Sequence, residues 1–202
     1  MCRDTTNAMD KKQARLTAKS NISKLTGDQK EWASGAIADA LSRLDEFRRA
    51  HKVFVYLGTQ NEPNTEEIVG LALMAEKVVC VPRVYGDEMK AIAITPFTNF
   101  KTNKWGILEP VGSHSVDDPD LAIVPMVAFD GLNRVGHGKG YYDRYLACHD
   151  CFVLGLAFDC QEAKGLEISA FDHPLDMLVT EKRIVDQSGE KENPYFGERI
   201  SN

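Results

Sequence analysis

Long apolar runs are missing from this chain of 202 residues: nothing in it approaches the roughly 20 consecutive apolar residues of a membrane-spanning helix. The opening Met1-Cys2-Arg3-Asp4-Thr5-Thr6 also lacks the apolar core of a secretory signal, so a cytoplasmic protein is expected. Positive charge is scarce. Lys and Arg number 24 against 30 Asp and Glu, giving a formal net charge of −6, so no general basic field exists to attract nucleic acid. An anionic ligand must instead be captured by a local cluster, which makes the grouping of Lys11, Arg15, Lys19 and Lys24 near one end informative. The 5 cysteines (Cys2, Cys80, Cys148, Cys151, Cys160) form an odd set without framework spacing. Cys148 and Cys151 make a lone CxxC at the end of a helical stretch rather than at its start, where a thiolate would be stabilised; plain reduced thiols are expected. The histidines show no metal-ligand spacing with one another or with cysteine.

What is present is an alternation of helical and strand-like segments. Residues 1–8 read as a flexible N-terminus, 9–24 as a basic helix, and Thr26 with Gln29 as a capping box. That box opens a helix on which Trp32, Ile37, Leu41, Leu44 and Phe47 recur at helical spacing. Val53-Phe54-Val55-Tyr56-Leu57 is then apolar on every residue, as a parallel strand covered on both faces requires. A helix from about Asn64 to Glu76 and a strand at 77–82 complete a β-α-β unit, and further strands are expected at 89–95, 121–125, 152–158 and 177–180. The pattern predicts a single α/β domain over 9–187, a three-layer α/β/α sandwich with a mostly parallel sheet, and a loosely held polar tail at 188–202. In such sheets ligands bind outside the carboxyl ends of the strands.

The richest segment runs from Val124 to Leu146. It leaves a strand, turns, and places Gly136, Gly138 and Gly140 at alternate positions before a helical Tyr141-Tyr142-Asp143-Arg144. Alternating glycines let backbone N–H groups converge on one point and cradle anionic oxygens, and a helix opening there adds its positive end. His137 and Gly138 stand where a Walker loop needs Lys and Ser/Thr, and the glycine spacing misses G-x-G-x-x-G, so both standard nucleotide motifs are excluded. Taken by its glycines alone, the run favours a phosphate cradle over a plain connector loop without excluding the connector.

The full string VPMVAFD…NRVGHGKGYYDRYL resembles the signature of the 5-formyltetrahydrofolate cyclo-ligases, also called 5,10-methenyltetrahydrofolate synthetases. Matches extend to Lys11 and Arg15, Tyr56–Glu62, Val81-Pro82-Arg83, Trp105–Pro110 and Pro174–Glu181, from about residue 8 to about residue 187. Two departures stand out: the turn from Asp130 to Arg134 is one residue short, and Met126 replaces a common glycine. The resemblance implies ATP- and Mg²⁺-dependent cyclisation of 5-formyltetrahydrofolate, through phosphorylation of the formyl oxygen, with reduced folate and ATP as small-molecule partners. It also implies ATP binding by Lys11, Arg15, Arg134, Gly136, His137, Gly138, Lys139, Gly140, Tyr141 and Tyr142. Folate would contact Leu57, Glu62, Trp105, Lys139, Gly140 and Tyr141, and Asp143 and Asp176 would serve the metal. The alternatives are a non-catalytic nucleotide- or anion-binding module on the same fold, and, by analogy of fold alone, a sugar-phosphate isomerase or CoA-transferase-like enzyme.

Overall fold

The structure, a computed structural model, describes residues 8–103 and 106–195. The expected flexible segment 1–8 therefore lies outside it except for Ala8. Helix α1 (Lys11–Ile22) starts where the Asp10 side chain accepts from the N–H groups of Lys12 and Gln13. The capping box is present: Thr26 Oγ1 accepts from Gln29 N–H and Gln29 Oε1 accepts from Thr26 N–H, opening α2 (Gly27–Arg43). The apolar spacing predicts that this helix continues through Phe47. Instead the backbone turns extended at Leu44 and restarts as α3 (Asp45–Arg49), which keeps Phe47 buried while changing the chain's direction.

The chain then runs β1 (Lys52–Val55), α4 (Glu66–Met74), β2 (Val78–Tyr85) and β3 (Glu88–Ile94). A small hairpin of β4 (Phe100–Thr102) and β5 (Leu108–Pro110) leads to β6 (Leu121–Val124). A second hairpin, β7 (Ala128–Asp130) and β8 (Asn133–Val135), precedes α5 (Tyr141–Leu146), followed by β9 (Phe152–Leu156), β10 (Met177–Val179), β11 (Arg183–Asp186) and β12 (Gly189–Glu192). The main sheet has the order β12-β11-β10-β9-β6-β1-β2-β3. Its interior strands β10, β9, β6, β1 and β2 are parallel, and the antiparallel strands lie at the edges.

Strand residues alternate between two buried faces. Val53, Val55, Val79, Val81, Leu121 and Ile123 pack with Ile37 and Leu41 of α2, Phe47 of α3 and Ile68 of α4. Phe54, Cys80, Ala122, Val124 and Val153 face Tyr145 and Leu146 of α5 and Leu175 of a coil segment. Each such large side chain contributes about 1.5–3 kcal/mol on burial. The three layers are as expected, with the α5 side the thinner. Helix α1 docks through Ala14 and Ala18 onto Ala128, Val135, Ala163 and Leu166, its small residues allowing close approach to the β7–β8 hairpin.

Both departures in the signature have a local explanation. The short turn is a two-residue hairpin, Gly131 (φ +57°) and Leu132, with Asp130 paired to Asn133. Met126 is buried and its methyl group lies over Gly155 of β9, where any side chain would collide with it and with Leu175. The loose tail needs correction over 188–195. Gly189–Glu192 pair with Arg183–Asp186, and buried Asn193 donates its Nδ2–H to the Thr180 carbonyl. Polar composition hides this strand because an edge strand needs backbone pairing more than apolar side chains, and all four of its residues are exposed. Among the described residues the four cysteines are unpaired, and no helix is long and apolar enough to cross a membrane.

Candidate active site

A cleft of about 1290 Å³ opens at the carboxyl ends of the parallel strands, floored by Tyr56 and Leu57 after β1, Pro82 and Val84 late in β2, and Pro125 after β6. Single-ligand pockets seldom exceed about 1,000 Å³, so this one has room for two ligands side by side. All the cleft residues expected on α1 and in the glycine loop line it, with Leu57 and Glu62. Trp105 lies outside the described residues.

The glycine loop is built for backbone approach. Gly138 (φ +93°) and Gly140 (φ +65°) take left-handed conformations, while Gly136 does not. Arg15 Nε–H donates to the Gly136 carbonyl at 2.8 Å, fixing the loop from the α1 side. Arg144 holds its other end: Nη1–H donates to the Lys139 carbonyl and Nη2–H to the Asp87 carbonyl in the β2–β3 turn, each at 2.9 Å. Helix α5 has only 6 residues, so anion capture here rests on loop amides and nearby cations more than on a helix dipole.

Arg134 sits on β8 with its side chain 2% exposed, and its Nη2–H donates to Asp143 Oδ1 at 2.7 Å. Burial pulls the guanidinium down from its ordinary value, and the Asp143 charge opposes that shift. Its Nε is buried without a partner, leaving one donor unused beside the cleft. Asp143 Oδ1 also accepts from His173 N–H at 3.3 Å, while no hydrogen bond reaches Oδ2 among the described residues.

Asp176 is not part of this cleft. Its Oδ2 accepts from Val153 N–H at 2.7 Å and its own N–H donates to the Val153 carbonyl, at the amino ends of β9 and β10. The sheet places it at the opposite end from the glycine loop. The carboxylate of this segment that does line the cleft is Asp172, which receives the Lys11 ammonium at 2.7 Å on Oδ1 and follows Phe171, 89% exposed. Asp172 lies two residues upstream of the recognised Pro174–Glu181 stretch. The only sequence signal for it was a second Asp four residues before Asp176.

On the β1 flank, Glu62 is buried and its Oε2 accepts from Thr59 N–H at 3.0 Å and Thr59 Oγ1–H at 2.8 Å. Its Oε1 lies 3.4 Å from His137 Nε2. Burial, then the Glu62 charge, pushes the Tyr142 phenol well up, so Tyr142 stays a neutral wall under the loop. The Tyr141 hydroxyl donates to the Gly86 carbonyl at 3.1 Å. Among the described residues no group of three or more His, Cys, Asp or Glu forms a metal cage. Asp143 with an open oxygen, next to a segment carrying Asp172, fits an ion such as Mg²⁺ that keeps waters and arrives on phosphates.

A family model described as the 5-formyltetrahydrofolate cyclo-ligase family matches residues 7–181. A probable 5-formyltetrahydrofolate cyclo-ligase of Schizosaccharomyces pombe is 32% identical, over 88% of this chain and 98% of that one. The 5-formyltetrahydrofolate cyclo-ligase of Haemophilus influenzae is 30% identical, over 86% and 99%. Among solved structures, the NMR structure of Aquifex aeolicus 5,10-methenyltetrahydrofolate synthetase aligns at a TM-score of 0.75 and 28% identity, covering 91% of this chain and 93% of that chain.

Proposed function

This chain belongs to the 5-formyltetrahydrofolate cyclo-ligase family, and on that premise we infer that its cleft converts 5-formyltetrahydrofolate and ATP to 5,10-methenyltetrahydrofolate, ADP and phosphate. The observation that carries this reading is a single cleft of about 1290 Å³ in which a cation-flanked glycine loop faces the buried carboxylate Glu62. The unpaired thiols of the four described cysteines suit the reducing cytoplasm as its location.

The chemical obstacle is that a formamide oxygen leaves poorly. Attack of that oxygen on the γ-phosphorus of ATP forms an O–P bond and breaks the P–O bond to ADP. N10 then adds to the activated carbon, the ring closes, phosphate departs, and the N10 proton passes to water. Catalysis of such a transfer is mostly alignment and charge neutralisation. Lys139 and the amides around Gly138 would hold the phosphates, Arg15 and Lys11 would close from α1, and the buried Arg134 would hold Asp143 in place beneath them. Mg²⁺ carried on the phosphates would be held by Asp143 with Asp172 as second carboxylate, supplying further neutralisation at the transferring group. Leu57 and Glu62 would position the folate, with Tyr141 and Tyr142 beside its flat ring.

Incubation with 5-formyltetrahydrofolate, ATP and Mg²⁺ should raise the methenyl absorbance, and omission of any one component should abolish it. A folded protein that produces no methenyl signal while binding ATP would return the cleft to a nucleotide-binding module.

A further inference from the structure

The cleft holds a second buried carboxylate with no assigned part. Glu109, on β5, is 7% exposed and lines the cleft with Val84, Met89 and Ile107. Its Oε1 is anchored, accepting from Val84 N–H at 3.3 Å and from Asn103 Nδ2–H at 3.0 Å. Its Oε2 accepts no hydrogen bond among the described residues and is not sealed from solvent, on a residue that lines the cleft. Glu62 is the opposite case, its Oε2 engaged by Thr59 and its Oε1 facing His137. A carboxylate taken out of water is tolerated when hydrogen-bond donors replace the water. In Glu109 that replacement is half complete, and the fixed Oε1 aims the other oxygen.

Charge decides which ligand it meets. The cations Lys11, Arg15 and Lys139 belong to α1 and the glycine loop, whereas Glu109 is bonded to β2, beyond β1 in the sheet order. An anion is poorly placed to face a triphosphate, but it suits a neutral ring whose edge offers N–H donors. We propose that Glu109 is a specificity-determining residue whose Oε2 accepts from the adjacent ring N–H and amino donors of the reduced folate's aminopyrimidinone. Val84, Met89 and Ile107 supply the apolar surface on which that ring lies. This rests on the reading that the cleft binds 5-formyltetrahydrofolate.

A hydrogen bond to a charged acceptor, once lost, weakens binding by about tenfold to a hundredfold. Glu109→Gln retains one acceptor oxygen for Val84 and Asn103 but turns an amide N–H toward the ring's donors. The dissociation constant for 5-formyltetrahydrofolate should rise at least about tenfold, with that for ATP unchanged. A folate analogue lacking the 2-amino group should bind the wild type more weakly, yet lose less than the parent folate on going to Glu109→Gln. Glu109→Asp, which keeps the charge but withdraws it, should fall between the two and serves in place of Glu109→Gln if that variant does not fold. Unchanged folate affinity in the variants, or equal losses for folate and ATP, overturns the proposal. A wild-type protein that does not bind 5-formyltetrahydrofolate overturns the functional reading itself, so the two failures are distinguishable.

Discussion

The Lys11 ammonium lies 2.7 Å from Asp172 Oδ1, joining α1 to a coil segment 161 positions away along the rim of the cleft. Asp172 also accepts from the N–H and hydroxyl of Ser169, so it is fixed whether or not Lys11 is present. A cation proposed to meet phosphate is thus already held by a carboxylate proposed to meet a metal. Arrival of a metal–nucleotide complex would exchange both partners at once, ammonium to phosphate and carboxylate to cation.

Asp172→Asn separates those two roles. ATP without Mg²⁺ should bind more tightly, by roughly 1 kcal/mol or about fivefold, because a like charge is removed and Lys11 is released. The Mg²⁺ concentration needed for half-maximal turnover should rise. Titrations with and without Mg²⁺ read both effects, and an unaltered Mg²⁺ requirement would remove Asp172 from the site.

The same pair predicts a pH dependence of stability. Partial burial works to raise the Asp172 carboxyl, but the bonds from Lys11 and Ser169 outweigh it and hold the group below its ordinary value. A carboxyl depressed on folding contributes stability that is complete above its unfolded value and is lost as pH falls through the folded one. The melting temperature of the wild type should therefore exceed that of Lys11→Met by a constant margin above about pH 5, a margin that shrinks below about pH 4. A margin that widens in acid contradicts the assignment.

Asp143→Asn and Asp143→Ala should differ in kind. Asn keeps an acceptor for Arg134 Nη2, so the fold persists while turnover falls by about a hundredfold or more through weaker metal binding. Both variants remove the counter-charge of a guanidinium whose side chain is 2% exposed, but Ala removes its acceptor as well and should cost about 3 kcal/mol of stability, well beyond the loss in Asn. Denaturant unfolding separates the two, and near wild-type turnover in Asp143→Asn would falsify the metal role.

Gly138→Val tests the loop. At φ +93° an L side chain is strained by about 1–3 kcal/mol, and a Cβ there would lie 3.5 Å from Arg15 Nη2, in ordinary contact. The penalty is therefore in the backbone first, and relaxing it must move the loop amides. ATP affinity should drop more than folate affinity; equal affinity for ATP would make the loop a mere connector.

The strands were readable because burial on two faces demands continuous apolar runs, and Val53–Leu57 and Leu121–Val124 comply. The glycine loop was readable because positive φ at Gly138 and Gly140 restricts residue choice. Three features were not. The edge strand Gly189–Glu192 uses backbone pairing that polar side chains do not report. That Asp172 lines the cleft and Asp176 does not depends on which end of the sheet each reaches. The segment carrying both bonds to Asp143 at His173 and to Val153 at Asp176, so three positions along the chain separate the cleft from the opposite end of the parallel strands. Spacing along a strand-like pattern cannot tell those ends apart. Glu109 stands inside the matched Trp105–Pro110 stretch but drew no role there, because its burial at the cleft shows only once β5 is folded.

Arg144 gives the cleft a further property. One guanidinium grips the Lys139 carbonyl in the loop and the Asp87 carbonyl in the turn that joins β2 to β3, the strands on the Glu109 flank. The loop and the turn thereby share one side chain, and a ligand that displaced either carbonyl would strain the bond to the other. Linkage makes such coupling reciprocal: whatever factor folate imposes on the affinity for ATP, ATP imposes on the affinity for folate. Order of arrival then becomes a kinetic matter only, while the ternary complex is favoured or disfavoured by a single number that both substrates share.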